Sequence, residues 1–233
     1  MDYTCREIAK MIDHSLLNPS LTVEDLERGC QLALAYDVAS VCIMPYYLKR
    51  GAEILSASAR AGLAFVKAST TIGFPHGGHA TAIKVAEARQ ALDDGGEELD
   101  MVVNISQVLS GHWGYVRDDI RAVIDVTHAR GQKVKVIFEN CYLEDGHKIR
   151  LCEICGELGA DWVKTSTGYG TGGATLEDLR LMRKHAPPHV QVKAAGGVRT
   201  LDQLLRVRAL GVTRVGASRT ADILEACKQR LGM

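Results

Sequence analysis

Residues 133–164 read KVKVIFENCYLEDGHKIRLCEICGELGADWVK. The stretch begins with a β-branched run at 133–138, continues with a helical pattern over 145–158, and ends in a second apolar run at 161–164. Gly159 stands between the helix and the second strand, where glycine commonly ends a helix because it adopts a left-handed conformation at little steric cost. A strand, a helix and a second strand in this order predict a βαβ unit.

The same alternation recurs along the whole chain. We predict strands at residues 12–14, 40–43, 64–70, 98–103, 133–138, 161–164, 190–194 and 212–215. The predicted helices span residues 22–36, 45–60, 80–94, 106–130, 145–158, 175–185, 200–209 and 219–231. Eight strands alternating with eight helices predict an α/β fold, a single-domain TIM (β/α)8 barrel over residues 1–233 with a short N-terminal helix. A doubly wound open sheet usually has fewer strands and is the alternative.

Charge and composition exclude several classes of protein. Lys plus Arg and Asp plus Glu both number 28, so the formal net charge is zero. Nucleic-acid and membrane-surface binders need a basic excess, whereas one phosphate needs only a local cluster of donors. No apolar stretch approaches the roughly 20 residues that span a bilayer, and the N-terminal sequence lacks the order of a signal peptide. Seven cysteines without regular spacing indicate reduced thiols and a cytoplasmic protein.

Two lysines, Lys164 and Lys193, lie at or near the ends of neighbouring predicted strands. In a TIM barrel the catalytic groups come from the C-terminal ends of the strands. If both lysines point inward, lost hydration and mutual repulsion lower their pKa values toward roughly 7–8. A neutral amine can then attack a carbonyl and form a Schiff base. The alternative is that strand alternation sends one or both lysines outward, beneath the helices.

Asp100 interrupts an otherwise apolar strand, Leu99 to Val103. We expect its carboxylate to pair with an inward lysine, and such a pair can relay protons to and from an imine carbon. An outward carboxylate at a helix contact is the alternative.

Glycine-rich turns follow the last three predicted strands, at residues 168–173, 196–197 and 216–218. Their backbone N–H groups can converge on one point, and TIM barrels commonly hold phosphate in the last two of these loops. Ordinary turn glycines are the alternative. No Gly-Lys-Ser or Gly-Lys-Thr follows the glycines, so a nucleoside triphosphate is not expected.

The remaining cysteine and histidine pairs carry less weight. Cys152 and Cys155 have redox spacing but lie in a predicted helix, so we expect them to pack in the core. His76 and His79 have no carboxylate at ligand spacing, and no metal is expected there. Cys42, in the second strand, either faces the active site or is a buried structural thiol.

Several motifs resemble those of class I deoxyribose-phosphate aldolases, over about residues 8–226. They are IDHSLL (12–17), VCI (41–43), IGFP (72–75), ELDMVVNI (98–105), VIFE (136–139), DWVKTSTG (161–168) and VKAAGGVRT (192–200). The last two are the most specific, because they occur in the family's order and register.

The resemblance implies a role for each matching residue. Lys164 resembles the Schiff-base lysine, and Lys193 the neighbour that lowers its pKa. Asp100 resembles the proton-relay carboxylate, with Thr167 close to it, and Asp13 resembles the residue that holds a substrate hydroxyl. The implied phosphate site comprises Gly168, Gly196, Gly197 and Ser218, to which the strand ends and turns add Cys42, Gly216 and Arg219.

The implied reaction is the reversible cleavage of 2-deoxy-D-ribose 5-phosphate to glyceraldehyde 3-phosphate and acetaldehyde. No metal or cofactor is expected, because a protonated imine takes the place of a Lewis acid. The expected partners are a phosphosugar and an aldehyde, with a homo-oligomer, first of all a dimer, as a further expectation. Two alternatives stay open: a related Schiff-base lyase acting on another phosphosugar or hydroxy-aldehyde, and a barrel that binds a phosphorylated ligand without chemistry.

Some positions depart from the family's pattern. They are Asn18, Met44, His76, His79, Asn140 and Arg219. We expect them to line the mouth of the site and to affect the choice of substrate more than the lysine chemistry. Arg219 either binds phosphate by a bidentate fork or lies on the surface as the first residue of the last helix.

Overall fold

A computed structural model describes residues 3–233, and its eight parallel strands close into a barrel in chain order, β1 to β8. The strands are β1 Ile12–Leu16, β2 Ser40–Ile43, β3 Lys67–Ile72, β4 Glu98–Val102, β5 Lys133–Ile137, β6 Trp162–Lys164, β7 Gln191–Ala195 and β8 Arg214–Ala217. The helices are α1 Cys5–Ala9, α2 Val23–Ala35, α3 Leu48–Arg60, α4 Thr81–Asp93, α5 Ile105–Leu109, α6 Trp113–His128, α7 Asp145–Leu158, α8 Leu176–His185, α9 Leu201–Arg208 and α10 Thr220–Leu231. The predicted TIM barrel with a short N-terminal helix is confirmed.

Side-chain caps and glycines explain several helix ends. Thr22 accepts a hydrogen bond from the backbone N–H of Asp25 at the start of α2, and Thr200 accepts one from Gln203 at the start of α9. Each bond satisfies an N–H that has no partner within the helix. Gly159 ends α7 at φ 72°, the left-handed conformation that the sequence predicted there.

The apolar core lies mainly between the outer face of the barrel and the helices. Val134, Val136, Val163 and Val192 point outward from their strands and are fully buried in this layer. No helix among residues 3–233 is long and apolar enough to cross a membrane.

The segment that was predicted as one helix over 106–130 is divided between α5 and α6. Gly111 interrupts it at φ 68°, outside the right-handed region that a helix requires. A continuous amphipathic pattern on both sides of the break hid this turn from the sequence. The predicted helix over 45–60 likewise begins with a 3-10 turn, Pro45–Tyr47, before α3.

The bounds of β3 and β8 were predicted two to three residues too early. Leu63 and Phe65, near the predicted start of β3, are instead 73% and 57% exposed and lie before the strand. Pairing with β7 likewise starts β8 at Arg214, beyond the apolar Val212. Both errors have one cause: the inward positions of these strands are polar or small, so apolar runs do not mark them.

Candidate active site

The interior of this barrel is polar, although branched apolar residues usually fill the inside of a TIM barrel. Charged side chains point inward from β1 and from β4 through β8 and are at most 9% exposed. They are Asp13, Glu98, Asp100, Lys135, Lys164, Lys193 and Arg214. Buried charges of this kind are tolerated only where they pair with one another and form hydrogen bonds.

Asp100 is the centre of this cluster and has no solvent exposure. Its Oδ2 atom accepts hydrogen bonds from Lys164 Nζ at 2.8 Å and from Lys193 Nζ at 2.7 Å. Its Oδ1 atom accepts one from Lys135 Nζ at 2.7 Å. One carboxylate therefore accepts hydrogen bonds from three lysine side chains, and the expected inward pairing of Asp100 is confirmed.

A second layer of ion pairs lies beside Asp100. Lys193 Nζ is 2.5 Å from Asp13 Oδ2, and Arg214 donates to Asp13 at 2.5 Å and to Glu98 at 2.9 Å. Lys135 also reaches Glu98, at 2.7 Å. These contacts hold the side chains of β1, β4, β5, β7 and β8 in one network.

The environment of Lys164 favours its neutral amine. Burial lowers the pKa of Lys164, Asp100 raises it, and the neighbouring Lys193 lowers it again, so that the net pKa lies below the usual lysine value. Within residues 3–233, Lys164 pairs only with Asp100, whose Oδ2 atom it shares with Lys193. The interpretation that Lys164 is the amine with the lowered pKa agrees with these contacts.

Lys193 lowers the pKa of Lys164, as the resemblance implied, but the expectation that the pKa of Lys193 is itself lowered is wrong. Burial lowers the pKa of Lys193, but the carboxylates of Asp100 and Asp13 outweigh it and raise the pKa above the ordinary value. Lys193 therefore keeps its proton. The repulsion between the two lysines therefore lowers the pKa of Lys164 and not that of Lys193, because Lys193 has two carboxylate partners and Lys164 has one.

A cavity of about 350 Å³ opens above the cluster at the C-terminal end of the barrel. This volume is within the usual range of small-ligand sites, about 300–1,000 Å³. The lining residues are Asp13, Ser15, Leu17, Asn18, Cys42, Lys164, Thr167, Gly168, Tyr169, Lys193, Ala195, Gly196, Gly197, Val198, Arg199, Gly216, Ala217 and Ser218. Lys164 and Lys193 thus face the cavity, whereas Asp100 and Lys135 lie beneath it.

Glycines let the loops after β6 and β7 approach one another closely. A Cβ atom on Gly173 would lie 2.3 Å from the carbonyl oxygen of Gly196, so no side chain fits there. Gly196 and Gly197 have φ values of 80° and 97°, which disfavour other residues. Arg199, directly after this turn, lines the cavity, and its guanidinium makes no ion pair with any residue between 3 and 233.

The loop after β6 is held by Glu139 and Tyr169. Glu139 is buried with φ 58°, and its carboxylate accepts hydrogen bonds from the Thr167 hydroxyl and, at 3.2 Å, from the Thr167 N–H. The Tyr169 hydroxyl donates to the carbonyl of Leu17 at 2.6 Å, and its ring packs edge-on against Phe74. These contacts fix one wall of the cavity.

Comparisons with known proteins give the family. The family described as DeoC/LacD family aldolase matches residues 7–218. The chain belongs to this aldolase family. It is 67% identical to a deoxyribose-phosphate aldolase of Rhodopirellula baltica, over all of this chain and 94% of that one. It is 49% identical to the enzyme of the same name from Thermococcus gammatolerans, over 95% of this chain and 97% of that one.

Solved structures agree with this assignment. QR15, an aldolase, superposes with a TM-score of 0.89 at 34% identity, covering 97% of both chains. A deoxyribose phosphate aldolase from Aeropyrum pernix, described as having a unique tetrameric structure, superposes with a TM-score of 0.86 at 28% identity, over 97% of this chain and 93% of that chain. The family resemblance that the motifs indicated is confirmed.

Most of the residues predicted for the site of this aldolase meet at the cavity. Cys42 lines it as a thiol with 3% exposure, and burial raises the pKa of this thiol. Arg219 does not line it: its guanidinium is 65% exposed and pairs with Asp222 at 3.1 Å. Arg219 directly precedes α10, and its side chain lies on the surface of that helix, outside the cavity.

The expectation that the departures from the family pattern line the mouth is correct only for Asn18. Asn140 is buried outside the cavity, with its amide nitrogen 3.3 Å from the sulfur of Met182. His76 and His79 are exposed, and Met44, half-buried, is also outside the lining. Within residues 3–233 no group of three His, Cys, Asp or Glu side chains could hold a metal ion.

The sequence reasoning missed several members of this aldolase's polar cluster. They are Glu98, Lys135, Glu139, Arg199 and Arg214. The signal for Lys135 was present in Lys-Val-Lys-Val, where valines alternate with lysines. Since the outward valines of this strand are covered by helices, the alternate position of Lys135 points into the barrel, whereas Lys133, at the start of the strand, is half-exposed and pairs with Asp161.

Proposed function

We propose that this aldolase reversibly cleaves 2-deoxy-D-ribose 5-phosphate to glyceraldehyde 3-phosphate and acetaldehyde through an imine on Lys164. The observation that carries the proposal is the sharing of Asp100 Oδ2 by Lys164 and Lys193 directly beneath the cavity. The pKa of Lys164 is lowered and that of Lys193 is raised, which suits them to be the nucleophile and the proton donor that this chemistry needs.

The reaction begins when the Lys164 amine attacks C1 of the open-chain sugar and water leaves, giving an iminium. A base removes the proton of the C3 hydroxyl, and the C2–C3 bond breaks with its electron pair moving into the iminium. Glyceraldehyde 3-phosphate leaves, and an enamine remains on Lys164. Protonation of C2 and hydrolysis then release acetaldehyde and regenerate the amine.

Lys193 supplies the proton to C2 in this proposal. Its ammonium faces the cavity and is held between Asp13 and Asp100 at 2.5 and 2.7 Å. Asp100 is fully buried and acts through the two lysines. Protons move between its carboxylate and their amino groups. Both oxygens of Asp13 are already engaged, so a substrate hydroxyl would add a further donor to that carboxylate.

The phosphate is assigned to the loops after β6, β7 and β8. Backbone N–H groups near Gly168, Gly196, Gly197 and Ser218 line this side of the cavity, and Gly216 leaves room for the backbone to approach. The guanidinium of Arg199, which has no ion pair among residues 3–233, adds a positive charge at the same rim, and anions are favoured where such donors converge. Cys42 and Thr167 complete the walls near the reacting carbons.

Borohydride trapping tests the proposal. Reduction in the presence of 2-deoxyribose 5-phosphate should add the mass of a reduced adduct, and peptide mapping should place it on Lys164. The Lys164→Leu variant should show none, and unphosphorylated 2-deoxyribose should trap more slowly. If an adduct forms with another sugar phosphate and not with 2-deoxyribose 5-phosphate, the substrate assignment is wrong and the imine chemistry stands. If no carbonyl compound gives an adduct, the imine is refuted.

We also propose that residues 1–233 form one domain that assembles as a homodimer in the cytoplasm. The related enzyme from Aeropyrum pernix is described as a tetramer, which supports assembly. All seven cysteines are free thiols, as a reducing compartment keeps them. Sedimentation equilibrium should give twice the chain mass, and unfolding should occur in one transition.

A further inference from the structure

Lys135 is a buried lysine of the barrel that the proposed reaction does not use. It lies in β5, has no solvent exposure and does not line the cavity. Its ammonium contacts Asp100 Oδ1 and Glu98 Oε2, each at 2.7 Å, and Asp13 lies 3.8 Å away. A buried lysine that touches no ligand and contacts so many carboxylates acts on its neighbours.

The number of buried charges shows what that action is. Among the described barrel residues whose charged groups contact one another, the cations outnumber the carboxylates: Lys135, Lys164, Lys193 and Arg214 against Asp13, Glu98 and Asp100. The half-buried Lys67, 3.5 Å from Glu98, adds a further positive charge on the N-terminal side of the barrel. With water excluded, the least costly way to balance the charges is for one cation to lose its proton.

The contacts determine which cation becomes neutral. Arginine does not deprotonate in proteins, so Arg214 stays charged. Lys193 has two carboxylate partners and Lys135 has three within 4 Å. In the described part of the chain, Lys164 has only Asp100 Oδ2, which it shares with Lys193. Lys164 is therefore the lysine that loses its proton at the lowest pH.

We propose that Lys135 is a positioning residue that acts through Asp100: it holds Oδ1 of that carboxylate and supplies the positive charge that leaves Lys164 as a free amine. The inference rests on the proposed imine chemistry of Lys164. With Oδ1 engaged by Lys135, only Oδ2 faces the two cavity lysines, and they must share it.

Without Lys135 the balance changes. Asp100 would have one oxygen free for Lys164, and the remaining buried cations would number three against three carboxylates. The other group that faces Lys164 is the Cys42 thiol, whose pKa burial raises, so it adds no charge near neutral pH. Lys164 would then bind a proton more tightly and react less.

The experiment measures the protonation of Lys164 directly. Competitive labelling with a small electrophile such as cyanate, followed by peptide mass spectrometry across a pH series, gives the midpoint at which Lys164 becomes a free amine. In Lys135→Met we expect this midpoint to rise by about one pH unit, so that labelling near neutral pH slows about tenfold. Lys135→Arg keeps the charge and should restore a midpoint close to that of the wild type.

Two further variants keep the proposal testable if Lys135→Met does not fold. Glu98→Gln removes a carboxylate outside the cavity, so the midpoint of Lys164 should move downward. Lys84→Met removes an equally buried lysine outside the barrel and should leave the midpoint unchanged. If Lys135→Met does not fold, the direction in Glu98→Gln decides: a downward shift supports the proposal, and an unchanged or upward midpoint overturns it.

An unchanged midpoint in folded Lys135→Met also overturns the proposal. Labelling needs no carbonyl substrate, so this result is separate from the proposed function. Wild-type protein that labels at a low midpoint but never traps a sugar would refute the imine reaction and leave the charge-balance role standing.

Discussion

Two lysines of this protein are buried to nearly the same degree and have different surroundings. Lys84 lies between α4 and α6, where its ammonium meets Asp119 at 2.6 Å and the carbonyl of Val102 at 2.9 Å. Lys164 lies at the end of β6, shares one carboxylate oxygen with Lys193 and faces a cavity. The carboxylate that Lys84 contacts is not shared with a second lysine, and the contacts of Lys84 join α4 and α6 to the barrel.

The difference shows that burial alone does not make a lysine reactive. An ion pair whose buried carboxylate is not shared with a second lysine contributes to holding the fold together. A shared carboxylate with an excess of neighbouring cations favours the neutral amine, and the cavity gives a substrate access to it. Each of the following predictions tests one part of this contrast.

Lys164→Met is expected to have the largest effect. Without the amine no imine forms, and kcat/KM for 2-deoxyribose 5-phosphate should fall by on the order of 10⁴-fold or more. The free energy of unfolding should not decrease, because the substitution removes the cost of burying a lysine whose pKa is lowered on folding. A coupled assay for glyceraldehyde 3-phosphate and urea titrations provide the two measurements; substantial residual activity would contradict the nucleophile assignment.

Lys84→Met should show the opposite pattern. It leaves Asp119 buried without its cation, and we expect a loss of about 3–5 kcal/mol in the free energy of unfolding. The protein that remains folded should retain most of its kcat, since Lys84 does not line the cavity. Changing both partners, to Met and Leu, should restore much of the stability. If Lys84→Met is inactive while folded, the two lysines are not separable in this way.

The stability of the wild type should depend on pH through Lys164. Its pKa is lowered in the folded state, so the unfolded chain binds this proton more tightly. The penalty is fully present below the folded pKa and disappears as the pH rises toward the unfolded value of about 10.4. Relative to Lys164→Met, the wild-type free energy of unfolding should therefore rise with pH over that window, by at most about 1.4 kcal/mol per unit. Parallel curves for the two proteins would rule out a lowered pKa.

Tyr169→Phe should have the smallest effect and tests the wall beside Lys164. The substitution keeps the ring on Phe74 and removes the hydrogen bond to the Leu17 carbonyl. A net hydrogen bond contributes about 0.5–1.5 kcal/mol, so KM should rise about two- to tenfold with little change in kcat. Steady-state kinetics measure both, and Tyr46→Phe, on an 89% exposed tyrosine, is the matched control. An equal loss of kcat would show that Tyr169 acts on the chemistry itself.

The eight strand–helix units were predictable because the signals for each unit lie within its own stretch of sequence. Apolar runs face the helices, Thr22 and Thr200 cap helix starts, and Gly159 ends a helix. The bounds of β3 and β8 were less predictable. Their inward residues are polar or small, and periodicity alone cannot distinguish such a strand from a loop.

The sequence alone located the site at the ends of the strands and singled out Lys164, Lys193 and Asp100, through local motifs and the general rule for TIM barrels. The resemblance distinguished the two lysines, but only the tertiary structure shows why the pKa of Lys164 is lowered and that of Lys193 is raised. That depends on partners far apart in the chain: Asp100 is 64 residues from Lys164, and Asp13 is 180 residues from Lys193. Closure of the barrel brings them within hydrogen-bonding distance, and a pKa follows from the charges nearby in space, whatever their order in the chain.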